Sequence, residues 1–196
     1  MVNVTIIETS GLGDRSYLIN DGEVAVAVDP QRDIDRVLEL TGGLRITHVL
    51  ETHIHSDYVT GGLALAKATG AQYVVPAGED VNFDRRTVED GDRVDTGEIH
   101  LEALLIPGHT HHHVSYLLRG VSGDTVGVFT GGSLRSWMPR PFCLNWAVTE
   151  ALAAQRLGRS GCPYTATTTV RSMLLSDHTP MLVFAQSRMI AMSSGL

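Results

Sequence analysis

The sequence has little cysteine and no long apolar run, and both shortages narrow the classes of protein that it can encode. Its 196 residues include only 2 cysteines, too few for a secreted scaffold held together by disulfides. No apolar run is long enough to span a bilayer, and the N-terminus lacks the charged and apolar regions of a secretion signal. The expectation is therefore a cytoplasmic protein with no membrane partner.

Basic residues are also in short supply, whereas histidine is abundant. The chain has 15 Lys and Arg against 22 Asp and Glu, and its formal net charge of -7 predicts no nucleic-acid partner. The 9 histidines are clustered rather than spread evenly. The length is sufficient for one domain with a substantial core. The histidine clusters therefore become the main indication of function.

Short β-type runs alternate with turn signals over the first two-thirds of the chain. Helical spacing of apolar residues is confined there to 34–43 and 61–70. Such an alternation predicts an α/β protein, in which a mixed sheet is covered by helices. Beyond Leu134 the periodicity weakens, with a helix predicted at 149–158 and a strand at 181–185. The strands predicted before Leu134 are 2–9, 16–20, 23–30, 45–52, 71–77, 99–107, 113–120 and 124–132.

The first histidine cluster directly follows the apolar run 45–52. His53, His55 and Asp57 alternate along the chain, so an extended loop can turn all three side chains to one side. Loops at the carboxyl ends of strands are where α/β folds usually place their sites. Imidazole nitrogens beside a carboxylate suit zinc, iron or manganese. The segment is therefore predicted to bind a metal ion.

The second cluster, Pro107-Gly108-His109-Thr110-His111-His112-His113, follows another apolar strand. His109 can complete a site of three histidines with the first cluster. His111 and His112 are more simply explained as exposed loop residues than as ligands. His113 is expected to orient a ligand through its second ring nitrogen.

The two clusters together resemble the signatures of the metallo-β-lactamase superfamily. The first element is THIHSDY and the second is PGHTHHHVSY. Within the superfamily, ETHIHSDYVTGG, GHTHHHVSYLL and VFTGGSL are most similar to the persulfide dioxygenase and glyoxalase II-like branch, especially its bacterial rhodanese-associated subgroup. The resemblance runs from about residue 2 to about residue 134. It implies a four-layer αββα sandwich, of the α+β type, with the metal at one edge of the sheets.

The resemblance also implies an activity. Persulfide dioxygenases use mononuclear Fe2+, O2 and glutathione persulfide, and they release sulfite and glutathione. His53 and His109 would be iron ligands, while His55 and Asp57 would support them or bind a second metal ion. In a glyoxalase II-type hydrolase, the same residues would instead help hold Zn2+ for thioester hydrolysis.

Two departures from the family pattern favour one metal ion over two. Tyr58 stands where the signature has its last histidine, and it either packs or hydrogen-bonds a bound oxygen or substrate. Gly132 replaces the aspartate ligand of the FTGD element. Asp57, His55 or a water molecule would then take the open position, which makes Asp57 and Tyr58 the candidate catalytic residues.

The tail departs most from the family. Residues 1–134 form the predicted core, and 135–196 are predicted to be an atypical or incomplete part of the same domain, divergent or read in a shifted frame. An incomplete second half would leave strand edges that favour self-association into homo-oligomers. A separate rhodanese partner is expected, because no such domain is recognisable here. A metal-binding remnant without turnover is the non-enzymatic alternative.

Overall fold

Two six-stranded sheets form the framework of the protein in its computed structural model, which describes residues 1–9, 14–55, 59–107, 110–131, 173–174 and 180–184. The first sheet has its strands in chain order, with antiparallel pairing up to the third strand and parallel pairing from there on. Its strands are β1 (Asn3–Thr9), β2 (Asp14–Asn20), β3 (Val24–Val28), β4 (Arg45–Leu50), β5 (Gln72–Pro76) and β6 (Arg86–Val88).

The second sheet has the strand order β11-β12-β10-β9-β8-β7. All of its pairs are antiparallel except β10 with β12, which run parallel. The strands from the C-terminal segment therefore extend this sheet beyond β10. Its strands are β7 (Arg93–Thr96), β8 (Ile99–Leu105), β9 (Val114–Arg119), β10 (Thr125–Phe129), β11 (Met173–Leu174) and β12 (Pro180–Phe184).

Two apolar cores explain the stacking of these layers. The larger core lies between the sheets and joins Tyr17 and Leu50 of the first sheet to Tyr116 and Phe129 of the second. The smaller core lies on the other face of the first sheet, where α1 (Ile34–Leu40) and α2 (Gly62–Thr69) cover it. Alternating side chains along each strand feed one core or the other. The result is a helix–sheet–sheet stack.

This stack agrees with the predicted α+β sandwich. The second helical layer of the predicted αββα arrangement, the helix predicted at 149–158 and the boundary after Leu134 lie outside the described residues. The strand predicted at 181–185 is present as β12. β6 and β7 were not predicted, because each is short and β7 carries charged residues where an apolar pattern would be expected.

Candidate metal site at the carboxyl end of β4

The first histidine cluster lies on the loop that begins where β4 ends. The ring of His53 is fully buried, whereas His55 is exposed. Their ring centroids are 6.4 Å apart and the ring planes are inclined by 32°. The two predicted ligands therefore lie on neighbouring parts of one loop. Asp57 and Tyr58, which the sequence also predicts here, lie outside the described residues.

A buried carboxylate and a hydroxyl hold the His53 ring in place. Asp29, at the end of β3, is fully buried and has a φ of 48°, a backbone conformation that few residues other than glycine adopt. Its Oδ1 accepts a 2.7 Å hydrogen bond from the Thr52 backbone N–H, and its Oδ2 accepts a 2.8 Å bond from the Thr52 hydroxyl. Thr52 Oγ1 in turn lies 2.9 Å from His53 Nδ1.

The order of these hydrogen bonds fixes the tautomer of His53. Because Thr52 gives its only hydroxyl proton to Asp29, its oxygen must accept from the imidazole. The proton of a neutral His53 therefore lies on Nδ1, and Nε2 carries the lone pair. A hydrogen bond that fixes one ring nitrogen and leaves the other to a metal ion is the usual arrangement behind histidine ligands.

His113 joins the second sheet to this loop. Its ring is fully buried, and its centroid is 4.8 Å from that of His53. Its Nε2 lies 2.9 Å from the carbonyl oxygen of Thr130, which must accept the proton because a carbonyl cannot donate. The Val114 backbone N–H also donates a 2.9 Å bond to the Thr52 carbonyl. The start of β9, the end of β10 and the metal-site loop are thus fastened together.

Gly131 continues this contact just beyond β10. It has a φ of 51°, and a Cβ built on it would lie 2.0 Å from Thr52 Oγ1. Only glycine fits this position without displacing the Asp29–Thr52–His53 chain. Gly132, where the family pattern has an aspartate ligand, follows directly but lies outside the described residues, as does His109.

A second buried carboxylate, Glu51, lies on the other side of Thr52. Its Oε1 accepts a 2.9 Å hydrogen bond from the Tyr73 hydroxyl, and its backbone oxygen accepts a 3.0 Å bond from the Tyr116 hydroxyl. Burial and the negative charge of Glu51 raise the pKa of the Tyr73 hydroxyl far above its ordinary value. Burial, Asp29 and Glu51 do the same to the pKa of Tyr116. Both carboxylates thus create a negative field at the end of β4, which favours a nearby cation.

The other histidines of the second cluster have different surroundings. His111 is exposed, and the half-buried ring of His112 lies against Gly78, where a Cβ would meet it at 2.7 Å. Its Nδ1 is 3.9 Å from Glu79 Oε1. These contacts agree with the simple explanation of both as loop residues.

The residues at this site fit a metal ion, although the structure carries none. A buried imidazole with Nε2 as its lone-pair nitrogen, a neighbouring imidazole and two buried carboxylates form a suitable environment for a divalent transition metal. Within the described ranges, no group of three or more His, Cys, Asp or Glu side chains is arranged to hold a metal ion. Two of the four predicted ligands, Asp57 and His109, fall outside those ranges.

Sequence reasoning found His53 and His55 but missed Asp29, Thr52 and Glu51 as their supports. Asp29 carried a usable signal, because it ends an apolar run beside Pro30 and so marks the carboxyl end of a strand. Its contact with Thr52 depends on β3 and β4 being parallel neighbours, which no local pattern specifies.

The sheets, the loop after β4 and its fixed histidine define a class of protein. Residues 11–145 match the metallo-beta-lactamase superfamily, and the chain belongs to that family. The match confirms the predicted family and continues beyond residue 134. In the described part of the chain, no helix is both long and apolar enough to cross a membrane.

Individual relatives carry two different activities. The chain is 40% identical over 116 residues to hydroxyacylglutathione hydrolase of Methylobacillus flagellatus, covering 56% of this chain and 46% of that protein. It is 37% identical over 127 residues to mitochondrial persulfide dioxygenase ETHE1 of Bos taurus, covering 61% of this chain and 47% of that protein. The chain therefore spans about half the length of these curated relatives.

A solved structure supports the same branch. The crystal structure of ETHE1 from Myxococcus xanthus matches with a TM-score of 0.63 and 31% sequence identity. The match covers 76% of this chain and 69% of that one. The fold and the branch therefore agree with the resemblance seen in the sequence, and the relatives are enzymes of both kinds.

Proposed function

We propose that the chain is a metal-dependent enzyme of sulfur metabolism that oxidises glutathione persulfide with O2 at a single ferrous ion. The observation that carries the proposal is the His53 ring, buried at the end of β4 with its Nδ1 proton directed to Thr52 and, through it, to Asp29. This arrangement presents Nε2 for a metal ion. The persulfide dioxygenase relatives support the substrate and the metal.

In this proposal, His53 and His109 hold the iron, and His55 and Asp57 lie beside it. Bound ferrous iron would supply coordination positions for both the persulfide sulfur and O2. Asp29 and Thr52 hold the proton on His53 Nδ1 and keep the ring from rotating. The buried contacts of His113 and Gly131 with this loop exclude water from the protein side of His53. The outer sulfur of the persulfide would leave as sulfite, with glutathione as the second product.

A single ion is favoured because two positions lack the ligands of a two-metal site. Tyr58 stands in place of a histidine and Gly132 in place of an aspartate. With Gly132 supplying no carboxylate, Asp57 is the candidate for the third protein ligand. Tyr58, with its phenolic hydroxyl, is the candidate donor to bound oxygen or substrate.

The alternative is a zinc-dependent thioester hydrolase. It is favoured by the 40% identity to a hydroxyacylglutathione hydrolase, which is as close a relationship as that to the dioxygenases. In that case a metal-bound hydroxide would attack the thioester carbonyl. A chain that binds metal but turns over neither substrate is the third hypothesis.

The three functions are separated by purifying the protein without added metal, measuring its metal content and assaying both substrates. Iron together with O2 uptake on glutathione persulfide, and sulfite as product, supports the dioxygenase. Zinc together with cleavage of a glutathione thioester supports the hydrolase. Bound metal with neither activity supports the remnant. O2 uptake that is unchanged in the His53→Ala variant would contradict the proposed site.

A further inference from the structure

The loop that carries His53 and His55 is fastened at its base by a buried acid. Glu51 immediately precedes the loop and Thr60 immediately follows it. The Glu51 side chain is fully buried, and its Oε1 accepts a short hydrogen bond from the Thr60 hydroxyl. The two ends of loop 52–59 are therefore joined by a direct side-chain contact.

The same contact organises the start of α2. The Thr60 hydroxyl oxygen accepts a 2.8 Å hydrogen bond from the Gly62 backbone N–H, and the Gly61 N–H donates a 2.8 Å bond to the Pro30 carbonyl. A Cβ at Gly62 would lie 2.0 Å from Glu51 Oε1, so only glycine lets the helix approach the carboxylate this closely. These amide groups already have protein acceptors, so they serve packing and capping rather than anion binding.

Glu51 is itself held from both sheets. The Tyr73 hydroxyl donates to its Oε1 from β5, and the Tyr116 hydroxyl donates to its backbone oxygen from β9. A buried carboxylate costs more free energy than an apolar residue of similar size unless its hydrogen bonds are made. An aliphatic residue could fill this volume but could not fasten Thr60. The feature that the carboxylate adds is the closure of the loop.

We propose that Glu51 is a positioning residue, which fixes both ends of loop 52–59 through Thr60 and so holds His53 and His55 ready for the metal ion. This inference rests on the proposed metal site. A loop that is already closed loses less conformational entropy when its side chains bind an ion, so the closure strengthens binding. The effect on metal affinity is expected to reach about 10-fold, the lower end of the range for residues that act behind a ligand.

The test compares matched threonine substitutions at the two ends of α2. Thr60→Val removes the hydroxyl that bonds Glu51 and preserves the shape of the side chain. Thr69→Val is the control, because the Thr69 hydroxyl donates a 2.7 Å bond to the Leu65 carbonyl at the far end of the same helix. Thr60→Ser restores a hydroxyl and serves as the rescue. Amide hydrogen exchange of residues 53–59 is measured in metal-free protein, and the Zn2+ dissociation constant by competition with a chelator.

Thr60→Val is expected to speed amide exchange in the loop and to weaken Zn2+ binding by about 10-fold. Thr69→Val and Thr60→Ser should leave both quantities close to those of the parent protein. Loop exchange and Zn2+ affinity that are equal in Thr60→Val and Thr69→Val would overturn the inference, even if both variants are destabilised. If the parent protein binds no Zn2+, the proposed metal site fails, and loop exchange alone decides whether Glu51 closes the loop.

Discussion

The two histidine clusters look alike in the sequence but differ in what surrounds them. His53 is buried and connects through Thr52 to the carboxylate of Asp29. His112 is half exposed, and the nearest carboxylate oxygen printed for it, on Glu79, is 3.9 Å away. The comparison teaches that a histidine count does not identify a ligand. The hydrogen bond that fixes the ring is the distinguishing feature.

The largest expected effect is the loss of His53. His53→Ala removes the buried imidazole, so metal affinity should fall by more than the about 10–100-fold typical of residues behind a ligand. Metal content of the purified protein and a Zn2+ titration measure this. His100→Ala is the control, since His100 pairs with Asp95 on the surface at 2.8 Å. Equal metal content in the two variants would remove His53 from the site.

The next effect concerns the direction of the hydrogen bonds behind His53. In Asp29→Asn the amide can donate to Thr52 Oγ1, so that the hydroxyl proton turns to His53 Nδ1 and the ring proton moves to Nε2. Metal affinity should then fall by about 10–100-fold. Nitrogen NMR of the metal-free protein should show the Nδ1–H tautomer in the parent and the Nε2–H tautomer in the variant.

Asp21→Asn provides the matched control for that substitution. Asp21 also accepts hydrogen bonds from backbone N–H groups, at 2.9 Å from Glu23 and Val24, but it lies on the turn before β3. Its substitution should leave the His53 tautomer unchanged. The same tautomer in the parent and in Asp29→Asn would show that Asp29 does not set the proton position.

A smaller effect is expected at Gly131. Gly131→Ala should lower the free energy of unfolding by about 2–4 kcal/mol, since the new Cβ meets Thr52 and the backbone has a positive φ. Gly42→Ala has a similar φ of 59° but nothing within 4 Å of the added Cβ, so it should cost about 1 kcal/mol. Urea denaturation measures both. Equal losses would mean that Gly131 does not contact the site as described.

The smallest effect is expected at His112. His112→Ala should change the free energy of metal binding by less than about 0.5 kcal/mol, because the ring lies against Gly78 and not against His53. The same Zn2+ titration measures it. A loss comparable with that of His53→Ala would make His112 a ligand and would erase the difference between the two clusters.

The sequence predicted the general fold and the two exact histidines of the described site, but not the residues that support them. His53 and His55 alternate after an apolar run, which is a local pattern and therefore legible. Asp29 and Glu51 act through contacts with Thr52 and Thr60, which exist only once strands and a helix have packed together. β6 and β7 escaped prediction for a different reason, since they are too short for a period to show.

The most direct test of the metal site is the metal content of protein purified without added metal, measured alongside the His53→Ala variant. One transition-metal ion per chain is predicted for the parent protein, and none for the variant. Iron would favour the dioxygenase and zinc the hydrolase. A parent protein with no bound transition metal, or a variant with as much as the parent, would contradict the assignment of His53 as the buried ligand.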